Sequence, residues 1–141
     1  MRHFAPVEIL GLALVVYGIV LSDVASAADA PEDRVVAMYF HRTERCPTCK
    51  KMGRYSEEAL KQGFTEEIKK GAVAFYSIDF QDAKNAKLTK GYRIEGPALI
   101  VAKIQGNKVA EYKDLEDIWT NVGDKPAFLK YVQKNVAEYL K

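Results

Sequence analysis

Three short apolar segments, separated by stretches with helical character, limit the architectures open to this chain. They are rich in residues that favour β-strands and read VVAMYFH (35–41), AVAFYSID (72–79) and ALIVAKIQ (98–105). Apolar runs of about four to eight residues are typical of strands that are buried on both faces of a sheet. Helical crossovers between such strands imply a mixed sheet with helices on both faces.

Helical stretches separate the three strands. The first helix is predicted to begin at Cys46, because Pro47 then stands where its missing N–H needs no partner, and to end near Lys61. The sequence FTEEIKKG (64–71) predicts a further turn or two, and DAKNAKLTKGY (82–92) predicts a short helix that a glycine ends.

A hairpin and two more helices complete the predicted order. The Gly-Asn pair at 106–107 is typical of a turn into a fourth strand at 108–113. Asp114 is predicted to cap a helix with apolar residues at helical spacing, which are Leu115, Ile118, Trp119 and Val122. A last helix from Lys125 is predicted to bury Phe128, Leu129, Val132 and Val136. The fold class is therefore α/β, in the order β-α-β-α-β-β-α.

The N-terminal stretch is typical of a secretory signal peptide. A basic start precedes an apolar run at 9–21, and the small residues at 25–27 fit cleavage after Ala27. This run is shorter than the about 20 residues that a spanning helix needs, although an uncleaved N-terminal membrane anchor is the alternative. We expect a secreted or periplasmic protein with a flexible lead-in at 28–33 and a single domain at 34–141.

Charge and cysteine content narrow the function. The net charge is +2, and no Lys/Arg cluster with interleaved aromatic residues is present, so the sequence predicts no nucleic acid partner. A chain of this size buries an adequate core without covalent staples. The chain's two cysteines, Cys46 and Cys49, are therefore not needed to hold the fold.

The spacing of these cysteines suits a redox-active disulfide. Residues three apart on a helix lie about 5–6 Å from each other, which a disulfide allows. Closing so short a loop stabilises a fold by only about 2 kcal/mol, and strained, exposed disulfides exchange readily. We therefore expect no cofactor other than the Cys46–Cys49 disulfide itself.

The two cysteines are predicted to play unequal roles. Cys46 lies at a helix N-terminus, where backbone N–H groups favour a thiolate. Positive charge nearby adds to this effect and comes from Arg42, Arg45, Lys50 and Lys51. Cys49 lies a turn inside the helix and is expected to be shielded. The pattern predicts that Cys46 attacks a substrate disulfide and Cys49 resolves the mixed disulfide.

A metal site is the competing interpretation of the motif. The two thiols and His41 would supply three ligands, whereas a structural zinc site takes four, usually from two such pairs. We therefore predict no metal site, although thiolates also suit soft metal or metalloid ions. We expect His41 to be a hydrogen-bonded structural residue, and a direct catalytic part for it stays open.

The motif RCPTC (45–49) at a strand-to-helix junction and GYRIEGPALIV (91–101) resemble the thioredoxin family over about 35–141. The resemblance implies a thioredoxin-like, four-stranded mixed sheet flanked by helices. It also implies a cis-proline at Pro97, directly before the third strand and against the cysteine pair, and backbone pairing of Gly96 with a bound peptide. The implied substrate-binding residues are Pro47, Thr48, Gly96 and Pro97.

Three positions depart from that family's pattern. Arg45 stands where thioredoxins carry a tryptophan, and residues 38–40 lack the buried acid of the first strand. Thr48 stands where strongly oxidising members have a histidine that stabilises the thiolate. These departures leave open whether the chain reduces or oxidises its partner.

Two longer segments are similar to small thioredoxin-like proteins named as a subunit of nitrophenyl-compound nitroreductase, which are associated with arsenical-resistance gene sets. They are YFHRTERCPTCKKM (39–52) and DLEDIWTNVGDKPAFLKYV (114–132). The resemblance implies a larger reductase as a possible partner. Three functions follow as hypotheses: an exported thiol–disulfide oxidoreductase acting on a protein partner, an accessory subunit of a nitroaromatic or arsenical reductase complex, and soft-metal or metalloid binding. For Trp119, we expect core packing of the last helices.

Overall fold

The computed structural model describes residues 31–141, so the predicted signal peptide and the first half of the lead-in lie outside the described residues. The strands are β1 Asp33–His41, β2 Val73–Asp79, β3 Ala98–Gln105 and β4 Lys108–Asp114. The α-helices are α1 Pro47–Gly63, α2 Thr65–Lys69, α3 Ala86–Gly91, α4 Ile118–Asn121 and α5 Lys125–Tyr139, and a 3-10 helix at Ala83–Asn85 precedes α3.

The four strands form one mixed sheet in the order β2-β1-β3-β4. Strand β1 is parallel to β2 and antiparallel to β3, and β3 is antiparallel to β4. This strand order and the helical crossovers confirm the predicted thioredoxin-like α/β fold. Within residues 31–141, no helix is both long and apolar enough to cross a bilayer.

Strand β1 is the centre of the molecule because both of its faces are buried. Every residue from Val35 to His41 is buried, as the unbroken apolar run predicts. Val35, Ala37 and Tyr39 pack with residues of α1, α4 and α5 in the larger core, together with Leu99, Val101, Phe128 and Val132. Its even-numbered residues form a smaller core on the other face, with Ile78, Ile100 and Ala102.

The prediction of a helix capped by Asp114 is wrong, because the helix starts later and is shorter than expected. Asp114 is the last residue of β4, and α4 is a single turn that begins at Ile118. A helix of one turn is too short to bury all the apolar residues of the predicted stripe. Leu115 and Ile118 are buried, whereas Trp119 is 48% exposed. The expected core packing of Trp119 is therefore wrong.

The expected cis-proline is also wrong, because no peptide bond within residues 31–141 is cis. The trans form of a bond before proline is favoured by about 0.5–1 kcal/mol, and only a specific local constraint overrides this preference. The bond between Gly96 and Pro97 has this favoured trans form as the chain enters β3.

Candidate functional site

The cysteine pair lies at the start of α1, just beyond the end of β1. Cys46 is the N-cap residue of this helix, with extended backbone angles, and its sulfur accepts a hydrogen bond from the backbone N–H of Cys49 at 3.3 Å. Pro47 occupies the first turn of the helix, where proline is favoured. The local sequence therefore creates both the helix end and the position of the first thiol.

The two sulfurs lie 2.9 Å apart and differ in accessibility. Cys46 is exposed, whereas Cys49 is only 8% exposed and belongs to the larger core. Both are free thiols. A disulfide needs a sulfur separation of about 2.0–2.1 Å, so a small movement suffices to close the bond between them.

The pKa of the Cys46 thiol is lowered. The main cause is a hydrogen bond between its sulfur and the Cys49 thiol, and the second is the backbone N–H of Cys49. Both favour the thiolate, because a charged sulfur accepts hydrogen bonds more strongly than a neutral one. The direction agrees with the sequence-based expectation, but the four neighbouring basic residues are not among the causes.

The pKa of the Cys49 thiol is raised instead. Burial is the largest cause, followed by the hydrogen bond to Cys46 and the charge on the Cys46 sulfur. The positive charge of Arg42 acts in the opposite direction and favours the Cys49 thiolate. The environment thus favours the thiolate form of Cys46 and the protonated form of Cys49.

Tyr39 and Gly53 hold α1 against the sheet, and neither was predicted from the sequence to be part of the site. The fully buried Tyr39 hydroxyl donates a hydrogen bond to the Cys49 carbonyl oxygen at 2.8 Å. Burial raises the pKa of this phenol, so it stays protonated and donates. A side chain at Gly53 would place its Cβ 2.9 Å from the Tyr39 ring. A glycine inside a predicted helix is the sequence signal for such a close approach.

The loop between β1 and Cys46 is anchored to the edge strand β2. The Thr43 hydroxyl donates to an Asp79 carboxylate oxygen at 2.7 Å, and the Thr43 backbone N–H donates to the Gln81 side chain at 3.0 Å. The Arg45 guanidinium donates to the Ser77 hydroxyl at 2.9 Å. The hydrogen bond from Thr43 lowers the pKa of Asp79, so this anchor persists at neutral pH. Sequence reasoning missed these contacts because the partners are more than 30 residues apart.

His41 has the geometry of a structural residue. It is buried at the end of β1, and its Nδ1 lies 2.8 Å from the Arg42 carbonyl oxygen. A carbonyl can only accept, so this ring nitrogen donates. The contact holds the imidazole to its own loop, as expected for a hydrogen-bonded structural histidine.

The remaining predicted site residues lie at the same edge of the sheet as the thiols. Pro47 and Thr48 are exposed on the first turn of α1. Ala98, the first residue of β3, pairs with Phe40 near the end of β1, so the preceding Gly96 and Pro97 lie at that edge. Both are half-buried, and a Cβ at Gly96 would meet no atom within 4 Å.

The thiol pair has few candidate co-ligands for a metal. Within residues 31–141, no group of three or more His, Cys, Asp or Glu side chains is arranged to hold a metal ion. His41 already directs one ring nitrogen to a backbone carbonyl. The chemistry that the described site offers is therefore that of two neighbouring thiols of unequal acidity.

The chain is similar to solved thioredoxins in overall structure only. No protein-family model and no curated protein matches the chain. The oxidised thioredoxin from Plasmodium falciparum aligns with a TM-score of 0.45 and 15% identity, over 73% of this chain and 82% of that one. A thioredoxin from Thermus thermophilus aligns with a TM-score of 0.42 and 18% identity, over 75% of this chain and 76% of its own.

A third similar structure is that of a chloroplastic thioredoxin z. It aligns with a TM-score of 0.39 and 22% identity, over 67% of this chain and 80% of its own. All three TM-scores are below 0.5, so we base the fold class on the chain's own strand order and connections.

Proposed function

We propose that this chain is a thiol–disulfide oxidoreductase in which Cys46 is the nucleophile and Cys49 is the resolving thiol. The observation that supports this function is the pairing of unlike thiols at one helix start. Cys46 is exposed and has a lowered pKa, whereas Cys49, with its sulfur 2.9 Å away, is buried and has a raised pKa. Thiol exchange needs one accessible thiolate and one protected thiol that acts second.

The first step is attack on a substrate disulfide. The Cys46 thiolate forms a bond to one substrate sulfur, the substrate S–S bond breaks, and the second substrate sulfur leaves as a thiolate. The exposed position of Cys46 gives the substrate access, and the hydrogen bonds that its sulfur accepts keep it charged at lower pH than a free cysteine.

The second step closes the Cys46–Cys49 disulfide. Once Cys46 is bonded to the substrate, it carries no charge, so one of the causes that raise the pKa of Cys49 is gone. Cys49 then loses its proton to solvent or to the departed substrate thiolate and attacks the Cys46 sulfur. The first substrate sulfur leaves as a thiolate, and two electrons have passed from the protein to the substrate. The reverse sequence oxidises a dithiol partner, and the partner's reduction potential sets the direction.

A protein or peptide disulfide is the substrate class that we propose. The surface beside Cys46 comprises the first turn of α1 and the segment that enters β3. Extended peptides can pair with free backbone groups at such a position, and Gly96 leaves space because no side-chain atom lies within 4 Å of its Cβ position. The proposed contacts are those of Pro47, Thr48, Gly96 and Pro97.

Reduction of insulin disulfides, with dithiothreitol as the electron source, tests this function. The wild-type chain is expected to accelerate the reaction. Cys46→Ser should abolish the acceleration. Cys49→Ser, incubated with insulin in the absence of dithiothreitol, should accumulate a covalent adduct that survives non-reducing electrophoresis. The two serine variants are matched controls for each other, since each removes one sulfur from the same pair. A wild-type protein that does not cycle with insulin or a peptide disulfide contradicts the proposal.

We also propose that the domain works outside the cytoplasm after cleavage following Ala27. The support is the sequence pattern of the first 27 residues. Cell fractionation of the full chain, with N-terminal sequencing of the product, tests the proposal. A product beginning at Ala28 in the exported fraction is expected. An intact N-terminus in the membrane fraction would instead support the anchor.

A role as an accessory subunit of a larger reductase is the second candidate function. The observation that favours it is the 48% exposure of Trp119, since exposed tryptophan is enriched at protein interfaces. This residue lies in the segment that resembles nitroreductase-associated proteins. Co-purification with a larger reductase that survives Cys46→Ser but is lost in Trp119→Ala would support this role. Loss in Cys46→Ser alone would favour simple disulfide exchange.

A further inference from the structure

The two faces of the sheet are covered to very different extents. On one face lie α1, of 17 residues, and α5, of 15 residues. On the other face lies α3, which has 6 residues. At about 1.5 Å per residue, α3 spans about 9 Å, while the nine residues of β1 extend about 30 Å. The half of this face near the start of β1 is therefore without a covering helix within residues 31–141.

A groove lies on this face beside α3, and we name it the back groove. It has a volume of about 460 Å³ and is lined mainly by apolar side chains, among them Val36, Met38, Tyr76, Leu88, Tyr92 and Val109. A second cavity of about 450 Å³ adjoins it, shares three of these residues and adds Tyr112 and Lys87. We count both cavities as the back groove, which thus reaches from the edge strand β2 to the edge strand β4.

The back groove contains most of the exposed large apolar residues in the described part of the chain. Tyr76, Leu88, Val109 and Tyr112 are between 42% and 54% exposed. Of the residues described, only Ile68 and Trp119 are comparable apolar side chains outside the groove. A contiguous apolar patch of this kind is typical of an interaction surface, whereas single exposed apolar residues are normal.

The charges at the back groove are all positive. Its charged lining residues are Arg34 and Lys87. Arg34 is half-buried and Lys87 is exposed. A carboxylate would neutralise this charge. A second copy of the chain would instead bring two sets of positive charges together, so self-association is disfavoured.

We propose that the back groove binds an amphipathic helix of a partner protein, with acidic residues on its polar side. The four strands span about 14 Å across the groove, which accommodates the about 10 Å diameter of one helix. The apolar side of the helix would cover the exposed side chains of Tyr76, Val109 and Tyr112, and a carboxylate would face Arg34 and Lys87. This helix would complete the layer that α3 begins.

Binding at the back groove leaves the thiols accessible. Cys49 packs in the core on the opposite face of the sheet, with α1 and α5. A partner protein held at the groove could therefore stay attached while Cys46 exchanges disulfides. The proposal does not depend on thiol chemistry, so its test and that of the oxidoreductase function fail independently.

Selection from a yeast-displayed library tests the proposal. The probes are 15-residue amphipathic helices with fixed apolar positions and with polar positions drawn equally from Glu, Lys and Ser. They are sorted for binding to the protein expressed as its full chain. Enrichment of Glu over Lys is expected. Enrichment of Lys, or no enrichment above the starting library, overturns the proposal.

Two charge variants locate the binding. Lys87→Glu should weaken the selected helices at least tenfold, while Lys130→Glu, the same charge change on the exposed surface of α5, should not. Val109→Asp should abolish binding, and all three variants should keep the wild-type rate of insulin reduction. Equal binding to the Lys87 and Lys130 variants overturns the proposal. So does a dimer, measured by light scattering, that Val109→Asp dissociates, because the occupant is then a second copy.

Discussion

At the residue scale, the reactivity of Cys46 depends on its partner thiol more than on the charged residues around it. The sequence places four basic side chains near the motif, and they were expected to favour the thiolate. In the structure, Arg45 is directed to Ser77, and the largest effect on the pKa of Cys46 is the hydrogen bond with Cys49. In the proposed function, Cys49 therefore has two roles, which are to stabilise the first thiolate and to resolve the mixed disulfide.

Removal of the Cys49 thiol should raise the pKa of Cys46. Only the thiolate reacts with iodoacetamide, so the alkylation rate rises with pH through this pKa. In Cys49→Ala the midpoint of the rate profile should move upward, because the sulfur loses its hydrogen-bond donor. In Cys49→Ser a hydroxyl donor remains, so the midpoint should stay below that of the alanine variant. Identical midpoints in both variants would show that the side-chain hydrogen bond is not the cause.

Substitution of Gly53 should destabilise the protein even though alanine is the better helix former. Alanine gains up to about 1 kcal/mol of helix propensity over glycine. Its Cβ, however, would lie 2.9 Å from the buried Tyr39 ring, and overpacking of this kind costs about 1–3 kcal/mol. Urea unfolding of Gly53→Ala should show a net loss of stability.

Gly91→Ala is the matched control for this effect. A Cβ at Gly91 would meet no atom within 4 Å, so the unfolding midpoint should not fall. If Gly53→Ala is as stable as Gly91→Ala, then α1 can move away from β1 without cost.

At the element scale, the loop before α1 is held by the edge strand rather than by the helix it precedes. Asp79 accepts hydrogen bonds from the Thr43 hydroxyl and from the Gln81 backbone N–H. The pKa of Asp79 is lowered, mainly by the bond from Thr43. Because the folded carboxyl has a lowered pKa, its contribution is complete above its ordinary pKa and is lost only as the pH falls through the lowered value. The loop should therefore stay anchored throughout the neutral range.

Asp79→Ala should loosen this loop without unfolding the domain. A typical hydrogen bond contributes about 1 kcal/mol, which corresponds to roughly fivefold faster hydrogen exchange of amides 43–46. Mass spectrometry of the exchanged peptides measures the change. Asp82→Ala is the control, since Asp82 caps the 3-10 helix through the Lys84 N–H and has no hydrogen bond to Thr43. Equal exchange in both variants would contradict the anchoring role of Asp79.

At the scale of the whole molecule, two aromatic residues of the last third of the chain have opposite environments. Phe128, on α5, is fully buried and packs edge-on against Tyr55 with ring centroids 5.5 Å apart, whereas Trp119, on α4, is 48% exposed. Both belong to the segment in which apolar spacing predicted burial. Only Phe128 lies on a helix long enough to keep a continuous stripe against the sheet.

The stability of alanine variants should follow this difference. Phe128→Ala should cost about 3–5 kcal/mol, as is usual for a buried aromatic residue. Trp119→Ala should change stability by less than about 0.5 kcal/mol, as is usual for the surface. Denaturant titration followed by circular dichroism measures both. A large loss in Trp119→Ala would mean that the exposed indole packs against part of the chain.

Much of the architecture could be predicted because it depends on local patterns. The unbroken apolar run of β1 predicts a central strand, and the apolar spacing in α5 predicts its buried residues. Pro47 and Pro126 mark the starts of α1 and α5, and both lie in the first turn. The extent of α4 was mispredicted because the burial of its apolar residues depends on distant neighbours. The cis bond before Pro97 was implied by the resemblance alone, and the chain keeps the trans form that is favoured locally.

The sequence by itself determined the strand order along the chain, the helix start at Cys46 and the presence of two thiols one turn apart. These features follow from hydrophobic periodicity, proline geometry and spacing, which act over a few residues. Only the tertiary structure decided that Tyr39 and Gly53 support the helix, that Asp79 anchors the loop, and that one face of the sheet has an open groove. Such features arise because side chains more than ten residues apart share the same space, and their packing depends on the whole fold.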